Sequence, residues 1–160
     1  MQDDYKPCFV SFIDANNKPI LVHVTAKYRD NIDNLLKFNV LSNMSLDYFE
    51  SQLFEWSSLS KNRELKTLFN IDGSKVYGML IKQTGLKIII GFNQNIIDDE
   101  VKIIEVFELI RKIYVKTKCN PFLNIDLNGN LSNISNDDDD NGKNHNLAQL
   151  LDDRLSKELS

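Results

Sequence analysis

The stretch GMLIKQTGLKIIIGFNQ, Gly78 to Gln94, decides the fold. Two apolar runs, Met79 to Ile81 and Leu86 to Phe92, flank Lys82, Gln83, Thr84 and Gly85, the composition of a tight turn between β-strands. The second run, KIIIGF, is apolar at consecutive positions instead of alternating, so both of its faces are expected to be buried. Such a strand belongs in the middle of a sheet with helices on both sides. Almost nothing on the stretch could do chemistry, so it reads as scaffold.

Upstream, ELKTLFNIDGSKVYG supplies a further strand ahead of this hairpin, with Asp72-Gly73 as a strong turn signal. Three antiparallel strands are therefore predicted in succession. Near the start, PCFVSFI (7–13) and KPILVHV (18–24) are rich in β-formers and are joined by the turn cluster DANN, which predicts another hairpin. Between the two strand groups, Asp30 to Trp56 contains neither Gly nor Pro, and Leu35, Phe38, Leu46, Phe49, Leu53 and Trp56 recur at helical spacing. This predicts a long helix starting between Asp30 and Asn34. Its other side carries Val40, Leu41, Met44 and Tyr48, more apolar surface than one solvated face should show.

A second long helix is predicted in DDEVKIIEVFELIRKIYVKTKCNP, opened by carboxylates and closed by Lys116, Lys118 and Pro121. Ile103, Val106, Phe107, Ile110, Ile113 and Tyr114 form its core stripe, while Val101, Ile104 and Val115 fall on the opposite side, a candidate docking stripe. From Asn124 to Asn146 the chain turns Asn- and Asp-rich, which predicts a flexible insertion. Leu147, Leu150, Leu151 and Leu155 then predict a short C-terminal helix that packs back on the domain. The organisation expected is a domain over residues 1–123, an insertion over 124–146 and a terminal helix over 147–160.

Composition narrows the function. The 160 residues are 42% hydrophobic and 26% charged, enough for one domain with a core. A net charge of -4 and a pI near 5.2 offer no overall basic field, which argues against nucleic acid as a partner. Cys8 and Cys119 lack metal or redox spacing and are read as reduced thiols. The acidic N-terminus, MQDDYKPCF, is unlike a secretory signal, and no apolar run is long enough to span a bilayer, so a cytosolic protein is expected.

Searching for chemistry gives little. Asp137, Asp139, Asn141 and Gly142 match the first positions of a calcium loop, but Ala148 stands where its bidentate Glu belongs, so a linker explains the letters. His23 lies in a predicted strand and His145 in the loose segment, neither with a nucleophile or carboxylate at a suggestive spacing. No phosphate-binding glycine loop is present, and no cofactor is implied. Asp47 stands out, being a carboxylate on a helix apolar on both sides, where it reads equally as plain surface or as a polar anchor at an interface.

In order, the elements are β-β-α-β-β-β-α-α: an α+β fold whose layered sheet of about five antiparallel strands has helices on both faces, the order of the longin (SNARE-like) fold. SLDYFE (45–50), LKTLF (65–69) and YVKTKCNPF (114–122) go further and resemble the sedlin family of TRAPP vesicle-tethering subunits. With PCFVSFIDANNKPILVHV and LIKQTGLKIIIGF added, the chain is most similar to the sedlin-like branch associated with TRAPP II, over about residues 7 to 123. The resemblance implies a non-catalytic subunit of a complex that tethers vesicles and promotes nucleotide exchange on Rab GTPases in ER–Golgi and Golgi traffic. Its partners would be other TRAPP subunits and, indirectly, a Rab GTPase. The chain would be cytoplasmic and reach membranes peripherally, through the complex. Asp47 stands where the family has an aspartate implicated in contacts with larger partners, with Met44 and Tyr48 beside it. Asn120, Pro121 and Phe122 match the family's NPF, a structural motif in which Pro ends the helix and Phe packs. The Asn/Asp-rich insertion departs from the family.

The competing readings are a small longin-type chain of a vesicle coat adaptor and an unrecognised small enzyme. The first should carry a basic membrane or cargo patch, and no basic run is visible. The second needs a concave pocket with convergent polar groups. A SNARE is disfavoured because no long heptad segment follows the domain.

Overall fold

In a computed structural model, residues 5–50, 63–120 and 139–159 are described. The elements are β1 (Phe9–Ile13), β2 (Pro19–Val24), α1 (Ala26–Arg29), α2 (Ile32–Glu50), β3 (Arg63–Ile71), β4 (Ser74–Ile81), β5 (Leu86–Asn93), α3 (Glu100–Lys118) and α4 (Asp139–Glu158). One five-stranded sheet in the order β2-β1-β5-β4-β3 forms the middle layer. β5 is central, antiparallel to both β1 and β4, and buried from Leu86 to Phe92. The uninterrupted apolar run of KIIIGF is thus the mark of a strand covered on both faces.

Alternate residues of the central strands feed two separate cores. Val10, Phe12, Ile88, Ile90 and Phe92 meet Phe107 and Ile110 of α3 and Leu151 and Leu155 of α4. Phe9, Ile13, Val76 and Ile89 meet Phe38, Leu41 and Phe49 of α2 on the other face. The period-two geometry of a strand makes this partition obligatory once helices flank the sheet.

The turns follow local chemistry. Asp72 and Gly73, both at positive φ (53° and 73°), link β3 to β4, as a tight right-twisted hairpin demands. In the first hairpin the Asp14 carboxylate accepts from the Asn16 and Lys18 backbone N–H groups, both at 2.9 Å. At the start of α3, Asp99 caps the helix by accepting from Val101 N at 3.1 Å, while Asp98 accepts from Tyr77 Oη at 2.5 Å. Those neighbouring aspartates fix where the helix leaves the sheet. The hydrogen bond from Tyr77, then that from Lys75, holds the Asp98 carboxyl below its usual range.

Two features differ from the sequence expectation. The short α1, stabilised by the Tyr28 N–H to Thr25 carbonyl bond of 2.9 Å, was not foreseen. The terminal helix is longer than predicted, starting at Asp139 instead of near Leu147. Asp139, Asn141 and Gly142 are therefore in regular helix, which a calcium loop with its sharp glycine turn is not. Leu53, Trp56, Pro121, Phe122 and the insertion up to residue 138 lie outside the described residues, so the expectations placed on them are not addressed.

Candidate interaction surfaces

The orientation of α2 is set by small hydroxyl residues as much as by apolar ones. Its buried side chains are Phe38, Leu41, Ser42, Ser45 and Phe49, at helical spacing. Ser42 Oγ lies 2.6 Å from Ser11 Oγ of β1, both fully enclosed, and Ser45 Oγ donates to the Leu41 carbonyl at 2.8 Å. Serines at this contact let the helix sit close to the sheet, and their hydrogen bonds satisfy groups that would otherwise be costly to bury. The core face is thus rotated from the leucine-rich stripe expected from sequence, leaving Leu35 and Leu46 only half-buried.

That rotation turns Ile32, Leu36 and Val40 outward, with 69%, 61% and 55% of their surface exposed. Four-residue steps put them in one ridge. Asp47, seven residues and close to two turns beyond Val40, lies exposed on the same side of the helix. Its neighbours do not share that position. Met44 and Tyr48 are half-buried against the core beneath α2, and the Tyr48 ring lies 5.1 Å from that of Phe69. Leu41 is fully in the core, so of the four apolar residues on the supposed second side only Val40 is solvent-facing. Sequence reasoning passed over Ile32 and Leu36, although their step of four to Val40 was the available signal.

The second surface is on α3, across the sheet from α2. Its inner face is the expected stripe, from Ile103 to Tyr114. Val101, Ile104 and Val115 point outward with exposures of 65%, 37% and 41%. Between them Arg111 Nε and Glu108 Oε2 form an ion pair of 3.2 Å. Ile97, 71% exposed, extends the apolar surface just ahead of the helix. The residues named from sequence are therefore not one site: Asp47 and the α3 trio lie on opposite faces of the molecule. Asn120 is half-buried after the end of α3.

His23 has a carboxylate neighbour that spacing could not reveal. Its Nδ1 lies 2.6 Å from Asp152 Oδ1 of α4, across a separation of 129 residues. Burial pushes the imidazole below its ordinary value, outweighing the pull of Asp152. Ser156 is close by, but its hydroxyl donates to the Asp152 carbonyl at 2.9 Å, a bond within the helix. The cluster holds α4 to β2 and raises no nucleophile. Among the described residues no cluster of His, Cys, Asp and Glu could hold a metal ion, and no helix is long and apolar enough to cross a membrane.

A five-stranded antiparallel sheet with α2 on one face and α3 and α4 on the other is a longin-type α/β sandwich. Within that class the chain belongs to the sedlin family, whose profile matches residues 12–136. TRAPP-associated protein TCA17 of Saccharomyces cerevisiae is 53% identical over 122 residues, covering 74% of this chain and 80% of that protein.

Proposed function

We propose that this chain is a non-catalytic subunit of the TRAPP vesicle-tethering complex, acting by contact with other subunits. The observation that carries the reading is the 53% identity to a TRAPP-associated protein over most of both chains. The exposed apolar residues support it: the ridge Ile32–Leu36–Val40 and the stripe Val101–Ile104–Val115 leave large aliphatic side chains in water on two faces. Two docking faces suit a piece that joins neighbours. Asp47 is the polar anchor at the end of the first, and a carboxylate at an interface rim sets register and partner choice more than raw affinity.

In this reading exchange on a Rab GTPase is a property of the assembly, and the chain stabilises or links its members. It reaches Golgi and ER–Golgi membranes from the cytoplasmic side, through its partners. The test is affinity purification of the tagged chain from cell extract with identification of bound polypeptides. TRAPP subunits should be recovered with the unaltered chain and depleted with Asp47→Tyr, while the purified variant melts at an unchanged temperature. Recovery of the unaltered chain without any TRAPP subunit rejects the reading.

A further inference from the structure

Where β1 begins and α4 ends, the molecule has an open cleft of about 750 Å³, within the size range of ligand sites. Its walls combine two kinds of surface. Ile97 supplies an exposed apolar side chain beside the enclosed Ile96 and Leu159, and Lys6 and Lys27 supply ammonium donors. Among the described residues lining it there is no carboxylate. Lys6 and Lys27 are both exposed, and Lys27 has only the Tyr28 ring beneath it, 5.5 Å from its Nζ to the centroid. Neither has an acidic partner among the described residues.

Two exposed lysines with no acidic partner among the described residues are notable in a chain of net charge -4. The sequence gives no hint of them as a group, because 21 positions separate them and neither belongs to a basic run. The lead-in to β1 brings Lys6 and the short α1 brings Lys27 to one rim. The adjoining hollow, about 80 Å³, shares Thr25, Ala26 and Leu159 with the cleft and places Arg29 further along the same side. Arg29 is already engaged, 3.5 Å from Asp152 Oδ1, so among the described residues the cations of this rim without a carboxylate beside them are the two lysines.

We propose that this cleft binds an acidic, extended peptide segment of a partner polypeptide. Its carboxylates pair with Lys6 and Lys27, and an aliphatic side chain lies against Ile96, Ile97 and Leu159. The chemistry favours a peptide over an anionic membrane. Lipid surfaces are held by clusters of about four to eight basic residues, whereas this rim has two around a concave apolar floor. Ile97, 71% exposed beside the nearly buried Ile96, is the side chain that gains most from being covered. This site is separate from the ridge on α2 and needs no membership of a tethering complex.

The test uses the purified full-length chain and a fluorescently labelled short peptide alternating glutamate and leucine. Three comparison probes accompany it: the same peptide with lysine for glutamate, phosphatidylserine-containing vesicles, and inorganic phosphate. Saturable binding of the acidic peptide alone is expected, weakening with salt, with backbone NMR shifts concentrated at Lys27, Tyr28, Ile96 and Ile97. The Lys6→Glu, Lys27→Glu double variant should bind about tenfold or more weakly. Ile97→Ser should weaken binding about threefold to tenfold by removing exposed aliphatic surface. All three positions are exposed, so the variants should fold; the NMR map of the unaltered chain decides the location even if one does not. The proposal is overturned by equal binding of the lysine peptide, by preference for vesicles or phosphate, by shifts elsewhere, by affinity indifferent to both variants, or by no binding at millimolar peptide.

Discussion

At the scale of single residues, the most consequential side chains are ones that apolar pattern-reading ranks low. Ser11 and Ser42 exchange a 2.6 Å hydrogen bond in full enclosure between β1 and α2. Ser42→Ala leaves Ser11 with an unsatisfied hydroxyl and should cost about 1–3 kcal/mol. Replacing both with alanine should cost less than the sum of the singles, a coupling that chemical denaturation of the four-member cycle measures. Gly91 is equally exposed to test. The Phe9 ring lies where its Cβ would stand, so Gly91→Ala overlaps an aromatic ring fixed in the core and should destabilise by about 1–3 kcal/mol. Neither effect was readable beforehand. A serine counts as polar, and a strand glycine shows only that something approaches closely.

Among the elements, legibility depended on how local the cause was. The carboxylate start and lysine end of α3 and the Asp72-Gly73 turn are written within a few residues of where they act, and those elements fell where expected. The rotation of α2 was missed because its face is chosen by what lies beneath it, including Ser11 from a distant strand. For α4 the sequence led to a helix packing back on the domain, but the polar contact that holds it was missed for the same reason, since Asp152 finds His23 only after the sheet exists. Burial of His23 at this contact gives a pH prediction. The folded His23 has a lowered pKa, so below about pH 6.5 the unfolded chain takes up a proton that the folded one resists. The stability contribution is complete above that value and is lost as pH falls beneath it. Melting temperature should therefore decline from pH 7 towards pH 5.5, and less steeply in His23→Gln. Protection factors in α4, corrected for the intrinsic exchange rate at each pH, should fall over the same range.

For the whole molecule, the separation of α2 from α3 by the sheet matters most to assembly. Two apolar surfaces on opposite faces can be covered by different neighbours at the same time. Asp47→Tyr and the pair Val101→Glu, Ile104→Glu should therefore deplete different polypeptides in co-purification, and the combined variant should lose both sets. If both lesions remove the same neighbour, the two faces serve one wrapping partner. The layered fold was legible because KIIIGF demands cover above and below. Which apolar residues of α2 face outward was only half so, since Met44 and Tyr48 look like Val40 in a string of letters and differ only once the helix has been seated.

The strand order has a temporal corollary. β1 lies between β2 and β5, and Ile13 pairs with Lys87, so the opening hairpin has its open edge sealed only by the last strand of the sheet. During synthesis the first two strands leave the ribosome long before that seal is made, offering an unsatisfied edge to chaperones or to neighbouring nascent chains. Arrested chains released before β5 has emerged should aggregate or be captured, and those extending through α3 should begin to resist protease.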